Sequence, residues 1–558
     1  MVKLKFNFAS LLLCGCIFAS GACGIILEYI QASIASMILG NSFEQWAVVI
    51  GLMLFWMGLA SLLQVHIKKQ YLIYMFIGVE TGLALVGGFS PTLTYYSYSL
   101  TSHYVLVLYF FVSFIGIMIG LEIPIIIRIN NDYTRELKTN LGNILSADYL
   151  GSLLGALIYV YLILRFLPIT KAAFLTALVN FTLAFATYVY FYSKKLIKSR
   201  FPALIMVLTL IFINFGYMKS DQWDIHIQQP LYDDPIIHIQ TTRYQHIVIT
   251  HYKPLDETRL FINGNLQLCS LDEARYHEPL VHPAMNLVPQ RKRVLILGGG
   301  DGCALREVLK YKDVEKVLLI DLDPGMTRLA AEQEQLTQIN NNAFKDARVI
   351  TMSLSGITES GIKEIYMEKS NYRKKPGHSS DTSEKVAEVQ IMNIDADKFL
   401  EKIPGFWDVI IVDMPDPSSP ELTKLYSKAF YSKAKHHLSI NGLMVVQATS
   451  PYFAKESFLC IGRTIESAGL SILPFHENVP SFGDWGWYIA RHPQIKKTKL
   501  MGKIAEIKFP VQTRFLTENI FKAELNFGKG MLETEKTDIN TIINPILLSI
   551  YTSESWLY

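Results

Sequence analysis

The sequence predicts an α-helical multi-span membrane domain, then a small β domain, then a doubly wound α/β domain. Three observations predict this order. Residues 1–220 are almost continuously apolar, whereas residues 221–558 have the composition of a soluble chain. Residues 294–324 read VLILGGGDGCALREVLKYKDVEKVLLIDLDP, which is a strand, a glycine turn, a helix and a second strand tipped with acid. Further strand–helix units follow it. A length of 558 residues suits one membrane unit and a two-part soluble unit. The expected boundaries are 1–220, 221–290 and 291–558.

The first part holds seven apolar segments, roughly 6–38, 44–66, 71–89, 103–127, 143–167, 170–192 and 201–217. Most reach the ~20 residues that cross a bilayer. The first is too long for a signal peptide, and another apolar segment follows at once. Basic residues mark the cytoplasmic side. Lys3 and Lys5, Lys68 and Lys69, Arg128, Arg135 and Lys138, and the Lys194–Arg200 group all fall on one side of alternating spans. The N-terminus is therefore expected inside. Seven full crossings then put the soluble half outside, whereas a nucleoside ligand made in the cytoplasm puts it inside. The seventh segment is short enough to lie along the interface or re-enter, so the expectation is a multi-pass inner-membrane protein with a cytoplasmic soluble half. Four acids, Glu28, Glu80, Glu122 and Asp148, lie within apolar stretches. Charge at membrane depth is costly and faces a polar interior. They either pair inside a helix bundle or form a cation-binding interior. Gly151, Ser152 and Gly155 suit close helix contact.

Residues 224–290 alternate polar and apolar in short runs, and Asn263-Gly264 marks a hairpin turn. Asp272 to Met285 reads as a helix leading to the glycine-rich strand. A polar run over 352–388 is expected as an insert between strands. The pattern resumes with VQIMNIDADKFL, FWDVIIVD, MPDPSSPELTKLYSKAFY and GLMVVQATS. Repeated β–α units of this kind give a mostly parallel, Rossmann-like sheet of the methyltransferase type.

Glycines in the turn, among them Gly298 and Gly300, let backbone approach a ligand closely, and an acid about 20 residues on takes the hydroxyls of a ribose. Asp321, Asp395 and Asp413 each end a strand, at the sheet edge where ligands bind. Acids there also cap helices. Three of them together with the glycine turn favour a nucleoside site. A net charge of +3 gives no reason to expect a nucleic-acid partner. The six cysteines form no CxxC or metal-like cluster, so neither a disulfide framework nor a metal site is expected.

YQHIVIT, FINGNLQLCSLDEARYHEPLVHPAM, the glycine-turn segment, DVIIVDMPDP and LYSKAFY closely resemble the spermidine synthase family of aminopropyltransferases. The resemblance covers most of 240–550. The apolar half, DMPDP, VPSFGDWGW and the NPILLSIY tail resemble its membrane-bound branch. The resemblance implies no prosthetic group, with decarboxylated S-adenosylmethionine as cosubstrate, a diamine (usually putrescine) as acceptor, and methylthioadenosine as by-product. It places Gln245 and His277 along the methionine-derived part of the donor and Asp301 on the amine of its aminopropyl tail. Asp321 binds the ribose, where the family usually has Glu, and Asp395 accepts from the adenine amino group. Asp413 is the general base, Tyr276 stands beside it, and Asp416 holds the acceptor amine. The chain departs from the pattern at Cys303, where Gly is usual, at Phe482, where soluble members place a Tyr against the acceptor, and in SSPELT, which lacks the usual Gly-Pro. The resemblance leaves the lipid bilayer as a partner and is compatible with a homo-oligomer. Two other readings fit the same fold: a methyltransferase using intact S-adenosylmethionine, and a membrane polyamine transporter or sensor whose soluble half only binds ligand. A carboxylate at the donor tail argues against the first, and a placed base argues against the second.

Overall fold

The computed structural model describes residues 8–39, 42–134, 136–352 and 388–554. The expected insert over 352–388 therefore lies, apart from its end residues, outside the described residues. The chain divides into two compact units, 1–250 and 251–558.

The first unit is built on seven long helices: Phe8–Leu39, Ser42–Leu63, Leu72–Leu100, Tyr104–Asn130, Leu137–Ile158, Ile169–Ser193 and Phe201–Gln228. Among the described residues, seven helical stretches are long and apolar enough to cross a membrane. The seventh runs well past residue 217, so the expectation of a short segment there is corrected. The stretch Phe201–Leu231 spans 31 residues. The apolar window ended at Phe215-Gly216-Tyr217, but the polar turns beyond still satisfy their backbone by continuing the helix. The helix also runs past residue 220, where a domain boundary was expected.

Small residues set the contacts between the first and fifth helices. A Cβ on Gly155 would lie 2.4 Å from the Ala22 carbonyl oxygen, and one on Gly151 would overlap the Phe18 carbonyl. Only glycine allows backbones that close. After the seventh helix, strands β1 (Ile236–Thr241) and β2 (His246–Tyr252) pair antiparallel.

The second unit opens with a hairpin of β3 (Glu257–Ile262) and β4 (Asn265–Cys269). Its turn residues Asn263 and Gly264 have φ of 50° and 82°. Both lie in the left-handed region that Asn-Gly supplies at least cost. Helix Ala274–Leu287 follows. The main sheet then forms from β5 (Arg293–Gly298), β6 (Lys316–Asp321), β7 (Val349–Met352), β8 (Glu388–Asn393), β9 (Trp407–Asp413), β10 (Leu438–Gln447), β11 (Ser471–Val479) and β12 (Gly483–Arg491). Its order is β11-β12-β10-β9-β5-β6-β8-β7. The strands from β10 to β7 are parallel, and β12 and β11 close one edge antiparallel. The central strands are buried on both faces: Leu295, Leu318, Ile410 and Met444 on one face and Ile296, Leu319, Ile411 and Val445 on the other have no exposed surface. That explains their unbroken apolar runs. The carboxyl ends of β5, β6 and β9 bring Gly298, Asp321 and Asp413 to one edge, with Gly298 directly opposite Asp413.

Candidate active site

The glycine turn is shaped by the carboxylates it meets. Gly298, Gly299 and Gly302 all have positive φ. A Cβ on Gly298 would overlap the Asp413 carbonyl oxygen, and one on Gly300 would lie 2.5 Å from Asp321 Oδ2. The Gly299 N–H donates to the Asp413 carbonyl at 3.1 Å. A side chain at Gly298 would displace the end of β9, and one at Gly300 would displace the Asp321 carboxylate. Asp321 accepts from the Asp323 N–H at 2.8 Å. Burial pushes its carboxyl up to about 7, with the charges of Asp323 and Asp301 adding to the effect.

Asp301 follows the turn and accepts from the Cys303 N–H at 2.7 Å. His277 Nδ1 lies 2.9 Å from both the carbonyl and Oε2 of Glu273, so Nδ1 carries the proton. Burial lowers the affinity of the ring for a second proton. Its Nε2 therefore presents a lone pair, 3.8 Å from Asp301 Oδ1. Asp413 completes the group. One ligating atom each from His277, Asp301 and Asp413 lies within 4.8 Å of the others. Three acceptors converging in this way suit a ligand with N–H donors and positive charge.

Tyr276 Oη donates to Asp413 Oδ1 at 2.8 Å, while Asp413 Oδ2 is buried without a partner. Burial pushes the Asp413 carboxyl up to about 6, with the charge of Asp301 also raising it and His277 and Tyr276 opposing. Near neutral pH it is thus ionised and still basic enough to take a proton. Tyr276 is walled by Phe482, Trp485 and Trp487, with ring centroids 5.9, 6.4 and 5.6 Å away. Asp272 pins the turn carrying Phe482 by accepting from the Ser481 N–H at 2.7 Å and its hydroxyl at 2.9 Å.

The helix bearing Tyr276 and His277 is locked in place by buried charge. Glu273 accepts from Arg306 Nη1 and Nη2 at 3.0 and 2.8 Å and from Arg514. Glu278 accepts three backbone N–H groups, those of Arg514, Phe515 and Leu516, at 2.6, 2.9 and 2.7 Å.

The Spermine/spermidine synthase domain family matches residues 273–359 and 375–499. A polyamine aminopropyltransferase from Oceanobacillus iheyensis is 35% identical over 539 residues, covering 96% of this chain and 95% of that protein. One from Leptospira interrogans is 35% identical over 535 residues, covering 96% of each. Polyamine aminopropyltransferase 2 from Ralstonia nicotianae is 34% identical and covers 99% of both chains. This chain belongs to the polyamine aminopropyltransferase family. It is an aminopropyltransferase, and the matches to these relatives extend over its N-terminal half. A crystal structure of spermidine synthase in complex with the transition-state analogue AdoDATO is similar, with a TM-score of 0.42, 23% identity, and coverage of 53% of this chain and 88% of that one.

In this aminopropyltransferase the structure thus brings together Tyr276, His277, Gly298, Gly300, Asp301, Asp321 and Asp413. Asp416 lies beyond β9, held by Gln447 Nε2 at 3.1 Å, Thr449 Oγ1 at 3.2 Å and Tyr551 Oη at 2.8 Å. Burial raises its carboxyl above the ordinary range against these three donors. Asp395 caps helix Ala396–Lys402 through the Asp397 N–H at 2.8 Å and pairs with Lys424 at 2.9 Å. Burial raises its carboxyl, but Lys424 and the capped N–H groups outweigh that and hold it below the usual range. Gln245 closes the β1–β2 turn in the first unit, where its backbone pairs with Thr242.

Sequence reasoning passed over Gln447, Thr449 and Tyr551. Gln447 carried a signal, because it is a polar residue ending an otherwise apolar strand, and it also donates to the Met414 carbonyl at 2.6 Å. Tyr551 carried none, since it lies far along the chain in helix Ile546–Glu554.

Proposed function

We propose that this enzyme transfers the aminopropyl group of decarboxylated S-adenosylmethionine to a diamine, putrescine in the first instance, giving spermidine and methylthioadenosine. The observation that carries the proposal is the convergence of His277, Asp301 and the unpartnered Oδ2 of Asp413 beside the glycine turn.

The roles follow from charge. Asp321 takes the ribose hydroxyls, and Gly298 and Gly300 allow the nucleoside to lie against backbone. Asp395 accepts from the adenine amino group. His277 lies along the methionine-derived chain, and Asp301 holds its terminal ammonium. Asp416 fixes the acceptor's far ammonium, and Asp413 binds the reacting amine and takes its proton. The freed nitrogen lone pair attacks the methylene carbon next to the sulfonium. The C–S bond breaks, its electron pair stays on sulfur, and neutral methylthioadenosine leaves. Base catalysis of this kind contributes typically ~10²–10⁴-fold. Holding two cations in line against their repulsion supplies much of the rest. The aromatic wall of Tyr276, Phe482, Trp485 and Trp487 receives the acceptor's methylenes. Phe482 adds no hydroxyl to that wall, and the hydroxyl of Tyr276 is committed to Asp413, which favours a plain aliphatic diamine.

The seven apolar helices anchor the enzyme in a bilayer, with 1–220 as the membrane domain in this reading. Seven crossings with basic loops inside put the catalytic half outside. The cytoplasmic origin of a nucleoside donor puts it inside, and we place it there. Reporter fusions to the C-terminus decide the side. The transfer itself is tested by incubating purified enzyme with decarboxylated S-adenosylmethionine and a panel of amines, reading products by mass spectrometry. Spermidine is expected. In a parallel incubation with intact S-adenosylmethionine, methylated amine formed there with no transfer from the decarboxylated donor would replace this reading with a methyltransferase.

A further inference from the structure

Outside the catalytic unit, among the described residues of the helical unit, a cluster of buried acids has carboxylate oxygens without hydrogen-bond partners. Glu80 on the third helix and Glu122 on the fourth are buried, with 0% and 2% exposure. Both oxygens of Glu80 and Oε1 of Glu122 have no hydrogen-bond partner. Ser20 on the first helix donates to Glu122 Oε2 at 2.5 Å. Glu80 lies beside Ser20 and within electrostatic reach of Glu122 and of Cys16 and Cys23 on the first helix. Asp148 on the fifth helix packs on Gly21, where an added Cβ would meet it at 2.7 Å. Three acids from three helices therefore surround the Ser20–Gly21 segment. Among the described residues, no Lys, Arg or His pairs with any of them.

A second observation points into the same place. Asn180 on the sixth helix has no exposed surface, and neither its oxygen nor its nitrogen has a partner. Its level is fixed by two contacts. Cys16 Sγ lies 3.6 Å from Thr187 Oγ1, and Cys23 Sγ lies 3.9 Å from the Thr176 carbonyl. Cys16, Ser20 and Cys23 share one face of the first helix, as Thr176, Asn180 and Thr187 share one face of the sixth. The two helices run antiparallel between these contacts, so Asn180 stands level with Ser20.

Uncompensated carboxylates in an apolar interior are costly. An alkylammonium group offers three N–H donors and one positive charge. The three unpartnered carboxylate oxygens and the Asn180 oxygen are acceptors of matching kind. We propose that Glu80, Glu122 and Asn180 form a second amine site in the helical unit, taking one protonated primary amine of a diamine or polyamine. The proposal rests on the aminopropyltransferase reading for its choice of organic amine over an inorganic cation. It gives the helical unit a ligand that the catalytic unit uses or makes.

The test is equilibrium binding of radiolabelled putrescine and spermidine to full-length enzyme in lipid nanodiscs, with aminopropyl transfer measured on the same samples. Wild type is expected to bind two equivalents per chain. Glu80→Gln with Glu122→Gln should bind one and keep turnover within about twofold. If the double variant loses its monodisperse profile, Asn180→Ala alone should weaken the second equivalent by at least tenfold. Equal stoichiometry in wild type and in a well-behaved variant overturns the proposal. So does displacement of the second equivalent by sodium or potassium at the concentration at which the amine itself competes. Wild type that binds the second equivalent but transfers nothing would instead refute the catalytic reading while leaving the site in place.

Discussion

Tyr276 holds one oxygen of Asp413 at 2.8 Å and leaves the other buried and free. The hydroxyl orients the carboxylate and favours its charged form, and in the proposed reaction the free oxygen takes the proton of the acceptor amine. Tyr276→Phe removes that donor. Aminopropyl turnover should fall roughly tenfold, in line with the about 1.5–3 kcal/mol of a hydrogen bond to a charged group, while donor affinity changes little. Steady-state kinetics with separate donor titrations check this.

The pH profile should carry the same signature. As the proposed base Asp413 must be ionised, and burial together with Asp301 has pushed its carboxyl up to about 6. The rate should therefore fall as pH drops through about 6. In Tyr276→Phe the lost hydrogen bond favours the protonated form, so this acid limb should move to higher pH. A limb that stays in place would separate Tyr276 from the titration.

Asp321 makes a second pH-dependent prediction. Its carboxyl is pushed up to about 7 by burial, and in the role proposed for it the ribose hydroxyls bind its ionised form. Donor affinity should weaken as pH falls through about 7, with proton release on binding seen by calorimetry in buffers of different ionisation enthalpy. Asp321→Ala should lower donor affinity at least tenfold and abolish that proton release. The sign for stability is opposite. A folded-state value above the unfolded ~3.9 means the empty protein binds an extra proton. Its contribution is present below about 4 and is lost as pH rises through about 7.

Tyr551 tests the acceptor side. It donates to Asp416 from helix Ile546–Glu554. Tyr551→Phe should raise the acceptor KM several-fold and leave donor binding unchanged, because Asp416 is expected to hold the acceptor. A donor-side defect in this variant would misplace Asp416.

The chain 353–387 interrupts the sheet between β7 and β8, which still pair in parallel register from Val349 opposite Val389 to Met352 opposite Met392. Replacing it with a short Gly/Ser join should leave melting and donor binding within error of wild type. Loss of a cooperative transition would show that the segment belongs to the fold.

The sheet was legible because β5, β6 and β9 are buried on both faces and read as unbroken apolar runs bounded by Gly or Asp. The Asn263-Gly264 turn was legible because few residue pairs adopt two successive positive φ values cheaply. The end of the seventh helix was not, since a hydropathy window registers apolar surface and not the continuing backbone hydrogen bonds beyond Tyr217. The capping of helix Ala396–Lys402 by Asp395 was foreseen as an alternative to ligand binding, and the same carboxylate also holds Lys424. Tyr551 was invisible because its partner Asp416 is distant in sequence, and only tertiary packing joins them.

The central claim is that Asp413 is the base, and the most direct test compares Asp413→Asn with wild type in a single-turnover assay. Asn keeps the shape and still accepts from Tyr276, but it cannot take a proton. The account predicts that aminopropyl transfer falls by about 10²-fold or more, with donor affinity changed by much less because Asp301 and Asp321 remain. Near-normal transfer by the Asn variant, with the donor bound as in wild type, would contradict it.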